Sequence, residues 1–197
     1  MRNLTLVPIA FLLAAGCAWS GDEAQSDLDS IFNGKDFTGW KVPEPNLWWK
    51  IQDGVLIGEN DEKMKGHSLF TEKEYTDLVV EAEVRFSGEI DSGIFIRKGW
   101  QCQIGVSRKL KKDMTCSVYA RGKYDNVAQD VDKLLKKDDW NLIRIEAKGD
   151  HFKIFLNGQK VLEMTDNGFP GPAPIGVQIH PGLPMKVEFR NIKAKAL

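Results

Sequence analysis

The chain has 197 residues, with 27 Lys and Arg against 28 Asp and Glu and a formal net charge of −1. This length suits one domain, or one domain with a leader, and is long enough to bury about 70% of the unfolded surface. The charge argues against nucleic acid as the main partner, because phosphate binding needs a basic excess. Three cysteines without a CxxC pair exclude a zinc ribbon or a disulfide scaffold.

Residues 1–20 have the features of an export signal, since a positively charged start precedes an apolar stretch too short to span a bilayer. Two processing routes stay open. Residues 13–17 resemble a bacterial lipobox, which would make Cys17 the lipidated first residue and anchor the protein to a membrane. Residues 18–20 suit an ordinary signal peptidase, which would free the chain at Gly21. We therefore expect an exported protein, periplasmic or at the cell surface.

A short polar tether over residues 21–28 and one domain over residues 29–197 follow the leader. Leu78–Phe86 alternates apolar and polar residues, which is the period of a half-buried strand. Asp53-Gly54 and Asn157-Gly158 each separate two apolar runs, which predicts hairpins with type I′ turns. The other predicted strands are Trp49–Ile51, Val55–Ile57, Ser92–Arg97, Trp100–Val106, Thr115–Ala120, Asn141–Lys148, His151–Leu156, Lys160–Met164, Ile175–His180 and Lys186–Ile192.

Val127–Lys136 is the one weak helix candidate, so the pattern predicts an all-β protein. About ten short strands at this spacing indicate a β-sandwich or jelly roll. Cys102 and Cys116 lie on segments that we interpret as neighbouring strands. In an oxidising compartment they could form a cross-strand disulfide. The alternative is that they are two separate buried thiols.

Several predicted strands carry polar and small residues on the face opposite their apolar residues. This second face would present Gly93, Phe95, Arg97, Gln101, Gln103, Ser117, Tyr119, Gly176, Gln178 and His180. Amides, cationic groups and aromatic rings suit the hydroxyls and apolar faces of sugar rings. An ordinary solvent-facing sheet can carry the same residue types. The interpretation of this face as a binding site therefore requires that these side chains lie close together in the folded protein.

Common catalytic signatures are missing from the sequence: it has no GxSxG, no HExxH, no Gly-rich phosphate loop and no Cys/His pair at ligand spacing. A tandem carboxylate motif for ordinary glycoside hydrolysis is also missing. No cofactor and no metal ligands are evident, although a divalent metal requirement stays open.

Eight short motifs occur in an order that resembles the 3-keto-disaccharide hydrolase domain family, formerly a domain of unknown function. The resemblance spans about residues 29–197. The motifs are Ile31–Trp40, Trp49 with Asp53–Leu56, Asp91–Arg97, Trp100–Ile104, Trp140-Asn141, Asn157-Gly158, Gly176–His180 and Phe189–Ile192. The resemblance implies a concanavalin A-like jelly-roll sandwich of two antiparallel sheets. It also implies an oxidised glycoside as ligand, cleaved after C2 deprotonation, elimination at C1 and hydration.

In that chemistry Arg97 would stabilise the enolate oxygen and His180 would transfer a proton. Hydroxyl groups of the sugar would be oriented by a second set of side chains, namely Phe95, Gln101, Gln103, Tyr119 and Gln178. The sequence departs from the family where Gln101 stands in place of a common Glu, and near Val106, where an Asp is common. An amide cannot act as a base near neutral pH. The alternative hypothesis is therefore a carbohydrate-binding domain without catalytic activity. A third hypothesis is a structural domain at the cell surface. The aglycone, the anomeric preference and the oligomeric state stay open.

Overall fold

The computed structural model describes residues 27–120, 122–125 and 127–197, so the predicted signal peptide, Cys17 and most of the tether lie outside the described residues. Within these ranges no helix is long and apolar enough to cross a membrane. The elements are β1 Asp29–Ser30, β2 Trp40–Lys41, β3 Trp49–Gln52, β4 Val55–Glu59, β5 Ser68–Tyr75, β6 Leu78–Phe86, β7 Asp91–Arg97, β8 Trp100–Ser107, β9 Lys112–Asp113, β10 Val118–Ala120, α1 Val131–Leu134, β11 Asn141–Lys148, β12 His151–Leu156, β13 Gln159–Thr165, β14 Ala173–Gln178 and β15 Lys186–Ala196.

The strands form two antiparallel sheets. Sheet I has the order β13-β12-β11-β6-β15-β4-β3, with β1 paired to β15. Sheet II has the order β10-β8-β7-β14-β5-β2, with β9 paired to β8. Strands far apart in the chain are neighbours in both sheets, as in the β6–β15 and β7–β14 pairs. This connectivity confirms the predicted jelly-roll sandwich.

The core lies between the sheets and follows from the alternation of side chains along each strand. One face of β6 is buried, with exposure of at most 1% for Leu78, Val80, Ala82 and Val84. Its charged residues lie on the other face, where Glu81 pairs with Arg144 of β11 at 2.6 Å. Trp100 of β8 stacks on Phe152 of β12, with ring centroids 5.1 Å apart, and so joins the two sheets.

Both predicted hairpin turns are present. Asp53 and Gly54 have φ of 51° and 77°, and Asn157 and Gly158 have φ of 49° and 85°. Positive φ at both central residues is what a type I′ turn requires. These turns join β3 to β4 and β12 to β13.

The predictions miss one long strand and extend two other elements too far. Strand β5 was not predicted, because the charged run Glu72-Lys73-Glu74 hides its period. The strand predicted over Thr115–Ala120 shortens to β10, because Cys116 has φ of 59° and lies in a turn. The predicted helix Val127–Lys136 shortens to α1, because Asp130 makes no side-chain cap bond and Leu135 is extended.

Candidate functional site

The outer face of sheet II carries a cluster of buried polar side chains. Along β7 and β8 the apolar residues point into the core, so Asp91, Gln101 and Gln103 lie on the opposite face. These three are only 5%, 4% and 1% exposed, although they do not point into the core. Gln178 of β14 joins them through its side-chain oxygen. Buried polar groups are costly unless hydrogen-bonded, so this cluster must be an internally bonded network.

The amide of Gln101 is the centre of that network. Its Nε2 donates towards Gln178 Oε1 at 2.7 Å, the backbone oxygen of Ser92 at 3.0 Å and Gln103 Oε1 at 3.2 Å. Gln103 in turn donates through Nε2 to Asp91 Oδ1 at 2.7 Å. We call Asp91, Gln101, Gln103 and Gln178 the amide network. It holds four side chains from three adjacent strands in one arrangement.

Two glycines give the neighbouring side chains room to lie across the sheet. A Cβ atom on Gly93 would lie 2.0 Å from Nε2 of Gln101, and one on Gly176 would lie 2.4 Å from the ring of Phe70. Both distances are far below van der Waals contact. The sequence pattern placed both glycines on the polar face, and the structure shows which side chain fills the space above each.

An aromatic pair adjoins the amide network. Phe95 of β7 and Phe70 of β5 have ring centroids 5.6 Å apart and an interplanar angle of 39°. A pocket of about 460 Å³ lies beside them and is lined by Phe70, Glu74, Phe95, Arg97, Lys98, Gly99, Pro172, Ala173 and Pro174. Flat apolar rings next to amide groups match the two kinds of surface on a pyranose ring.

The structure does not bring Arg97 into the amide network. The register of β7 against β8 shifts between Phe95 and Arg97, which breaks the alternation that would have placed both on one face. The Arg97 guanidinium donates to the Phe169 backbone oxygen at 2.9 Å and to Asp77 Oδ1 at 3.1 Å. It also lies over the Phe152 ring at 5.7 Å. These contacts anchor the loops at one end of the sandwich.

His180 lies at the edge of the network, just after β14. Its backbone N–H donates to the Asp91 backbone oxygen at 3.3 Å, and its ring Nδ1 lies 2.8 Å from the Pro181 backbone oxygen. A carbonyl oxygen only accepts, so this bond places the proton on Nδ1 and leaves Nε2 as the acceptor in the neutral ring. Arg108 donates to the same Pro181 oxygen from Nη1 at 3.1 Å. Its backbone N–H also bonds Asp91 Oδ2 at 2.9 Å.

Tyr119 closes the other edge of the network. It lies directly opposite Gln101 in the β8–β10 pair, so the two side chains share a face. Its ring lies 4.7 Å from the ring of Tyr124, whose hydroxyl accepts a hydrogen bond from Lys109 Nζ at 2.9 Å. Of the predicted site residues, Gln101, Gln103 and Gln178 thus converge in one network, with Phe95, Tyr119 and His180 around it.

Cys102 and Cys116 are adjacent buried thiols in the structure. Contact with Cys116, and then burial, raises the pKa of the Cys102 thiol well above its usual value. Buried thiols of this kind behave as small apolar groups. A disulfide between them and two separate thiols both stay open as predictions.

Sequence reasoning missed five residues of this region: Phe70, Asp91, Arg108, Lys109 and Tyr124. Asp91 stands at the start of the strand motif that ends at Arg97, so its position beside Ser92-Gly93 was the available signal. Among the described ranges no group of three or more His, Cys, Asp or Glu side chains is placed to hold a metal ion.

Comparison with known proteins identifies a domain family. The model of a family described as a 3-keto-alpha-glucoside-1,2-lyase-like domain matches residues 27–195. No curated protein matches the chain.

Several solved structures share the fold. A candidate glycosyl hydrolase from Parabacteroides distasonis ATCC 8503 is 24% identical with a TM-score of 0.66, over 86% of this chain and 99% of that chain. The carbohydrate-binding module CBM66 from Bacillus subtilis is 18% identical with a TM-score of 0.57, over 82% and 98%. A Bacillus subtilis protein of unknown function with a galectin-like fold is 14% identical with a TM-score of 0.62, over 85% and 93%. These likenesses confirm the predicted concanavalin A-like jelly roll.

Proposed function

Because this chain belongs to the 3-keto-alpha-glucoside-1,2-lyase-like domain family, we propose that it cleaves 3-keto-glycosides, with net hydrolysis at C1. The observation that carries the proposal is the amide network on the outer face of sheet II. Three of its four side chains are almost fully buried, and its amides are fixed in orientation by each other. Prearranged amides of this kind are suited to orienting sugar hydroxyls.

The proposed reaction needs no paired carboxylates. A ketone at C3 makes the hydrogen on C2 acidic, so a base can remove it and form an enolate. The electrons then form the C1–C2 double bond and expel the group on C1 as an alcohol. Water adds to C1 of the resulting enone and a proton returns to C2, which completes the hydrolysis. The site must therefore supply a base, an acid and donors for the enolate oxygen.

The structure offers candidates for these roles around the amide network. The Nδ1–H of His180 is held by the Pro181 oxygen, so Nε2 is the atom that gives a proton to the leaving oxygen in the imidazolium form and accepts one from water in the neutral form. Arg108 lies beside His180 through the shared Pro181 oxygen and is the cation that we propose for the enolate, in place of Arg97. The Phe70–Phe95 pair would contact the apolar face of the sugar.

Carbohydrate binding without catalysis is the second candidate function. Gln101 favours it, because its amide is fixed by three acceptors and cannot remove a proton. One solved structure with this fold is the carbohydrate-binding module CBM66. Such a protein would bind the sugar on the same face of sheet II and release no product.

Turnover of a 3-keto-disaccharide tests the two candidates against each other. We expect release of 3-keto-glucose, measured by chromatography, and a loss of about 100-fold or more for His180→Ala, the usual contribution of an acid–base group. His151→Ala is the matched control, because His151 lies on sheet I, away from the amide network, with its ring 3.5 Å from the Thr165 hydroxyl of the neighbouring strand. Binding in calorimetry without product from the parent protein favours the second candidate. Full turnover by His180→Ala removes His180 from the proton transfer.

A further inference from the structure

A chain of polar side chains runs along the β10 edge of the amide network. Lys109 donates from Nζ to the Tyr124 hydroxyl at 2.9 Å and also lies 5.1 Å from the centre of its ring. The Tyr124 hydroxyl interacts with that of Tyr119, which in turn interacts with Ser107. These four residues come from the end of β8, the turn after it, β10 and the loop that follows β10.

The position of this chain makes it relevant to the site. Tyr119 is the cross-strand partner of Gln101, so the phenols stand beside the amide network on the same face of sheet II. His180 stands on the other side of the network, beyond β14. A sugar bound over the amides would therefore lie between the tyrosines and the histidine.

The surroundings make the two phenols chemically different. The hydrogen bond from Lys109, followed by the one with Tyr119, lowers the pKa of the Tyr124 hydroxyl. Burial, followed by the contact with Tyr124, raises the pKa of Tyr119. Adjacent groups whose pKa values are driven apart are a recognised sign of divided acid and base roles. The titratable groups facing Tyr124 are Lys109 and Tyr119, while Lys123 beside it in the chain pairs with Asp166 at 2.7 Å.

We propose that Tyr124, oriented by Lys109 and Tyr119, is the base that removes the C2 proton of the 3-keto-glycoside. The inference rests on the function proposed above. It assigns the role of base to Tyr124, because the amide of Gln101 cannot remove a proton. In the elimination the C2 proton passes to the Tyr124 phenolate, the C1–O bond breaks, and the leaving oxygen takes a proton from the His180 imidazolium. In the hydration His180 takes a proton from water as its oxygen adds to C1, and Tyr124 returns its proton to C2. Both residues end in their starting state.

Exchange of the C2 hydrogen in heavy water isolates the proposed step. The probe is a 3-keto sugar that carries hydrogen in place of the C1 leaving group, followed by proton NMR. We expect the parent protein and the His151→Ala control to exchange this hydrogen, and Tyr124→Phe to exchange it about 100-fold more slowly or worse. Equal exchange by Tyr124→Phe and the parent overturns the inference and leaves the proposed function standing. A parent that neither exchanges this hydrogen nor releases 3-keto-glucose overturns both.

The pH dependence provides a second test that does not need turnover. A lowered pKa means that the phenolate forms at lower pH than in a free tyrosine, so exchange rises with pH through that pKa. Lys109→Met removes the ammonium donor and should move this rise, and the ultraviolet absorbance of the first phenolate to form, to higher pH. Lys73→Met is the matched control, because Lys73 lies over Tyr75 at 4.8 Å in a comparable lysine–tyrosine contact outside the site. An absorbance titration that is identical in the parent and Lys109→Met overturns the inference.

Discussion

Replacing Gly93 by alanine should displace the centre of the amide network without removing any functional group. The added Cβ would lie 2.0 Å from Nε2, 2.5 Å from Cγ and 2.6 Å from Cδ of Gln101. Gln101 is 4% exposed, so its side chain cannot move into solvent without leaving its three acceptors. The methyl group and the amide therefore compete for the same space between β7 and β8.

The expected cost follows from what Gln101 must give up. Its two amide hydrogens serve hydrogen bonds worth about 0.5–1.5 kcal/mol each. Forcing an extra methyl group into a packed site costs about 1–3 kcal/mol. A total of about 2–6 kcal/mol corresponds to a fall in melting temperature of roughly 4–24 °C for a domain of this size. Sugar binding should weaken at the same time, because the amides lose their orientation.

Thermal melts of Gly93→Ala, Gln101→Ala and the double variant measure this cost and assign it. If the added Cβ destabilises the protein only by displacing Gln101, the double variant should be no less stable than Gln101→Ala. The free-energy changes of the two single variants then do not add, and the coupling energy between the two positions is about 1 kcal/mol or more. Calorimetry with a 3-keto sugar follows binding in the same proteins. A Gly93→Ala protein that melts and binds like the parent would refute the packing argument. Additive single effects would place the clash elsewhere than Gln101.

Three further predictions concern other parts of the chain. Arg97→Ala should lower the free energy of unfolding by about 2–4 kcal/mol, because Asp77 and the Phe169 oxygen lose a buried partner; a loss of turnover without a loss of stability would instead assign Arg97 to the site. In reduced protein, Cys102 and Cys116 should react with a thiol reagent only after unfolding, since both are fully buried; fast labelling of the native protein would contradict their placement. If the protein is exported and lipidated at Cys17, Cys17→Ser should release it from the membrane fraction; an unchanged distribution would favour cleavage before Gly21.

Features that depend on short stretches of chain could be predicted from the sequence. The strand Leu78–Phe86 and the turns at Asp53-Gly54 and Asn157-Gly158 follow from a two-residue period and from residues that tolerate positive φ. The same period predicted that Gln101 and Gln103 share a face away from the core, and the order of short motifs indicated the family. These signals are local, so no knowledge of partner strands was needed to read them.

Features that depend on contacts between distant segments were decided only by the tertiary structure. Strand β5 forms because β2 and β14 pair with it, although its own charged residues hide the pattern. Arg97 leaves the predicted face because the register shifts beside Phe95, and such a bulge depends on how two strands fit together. Asp91, Lys109 and Tyr124 come to the site from a strand end and two loops, and no sequence period records where loop side chains meet. The sequence thus determined the strand faces and the family, whereas packing of the strands and loops decided which side chains surround the amide network.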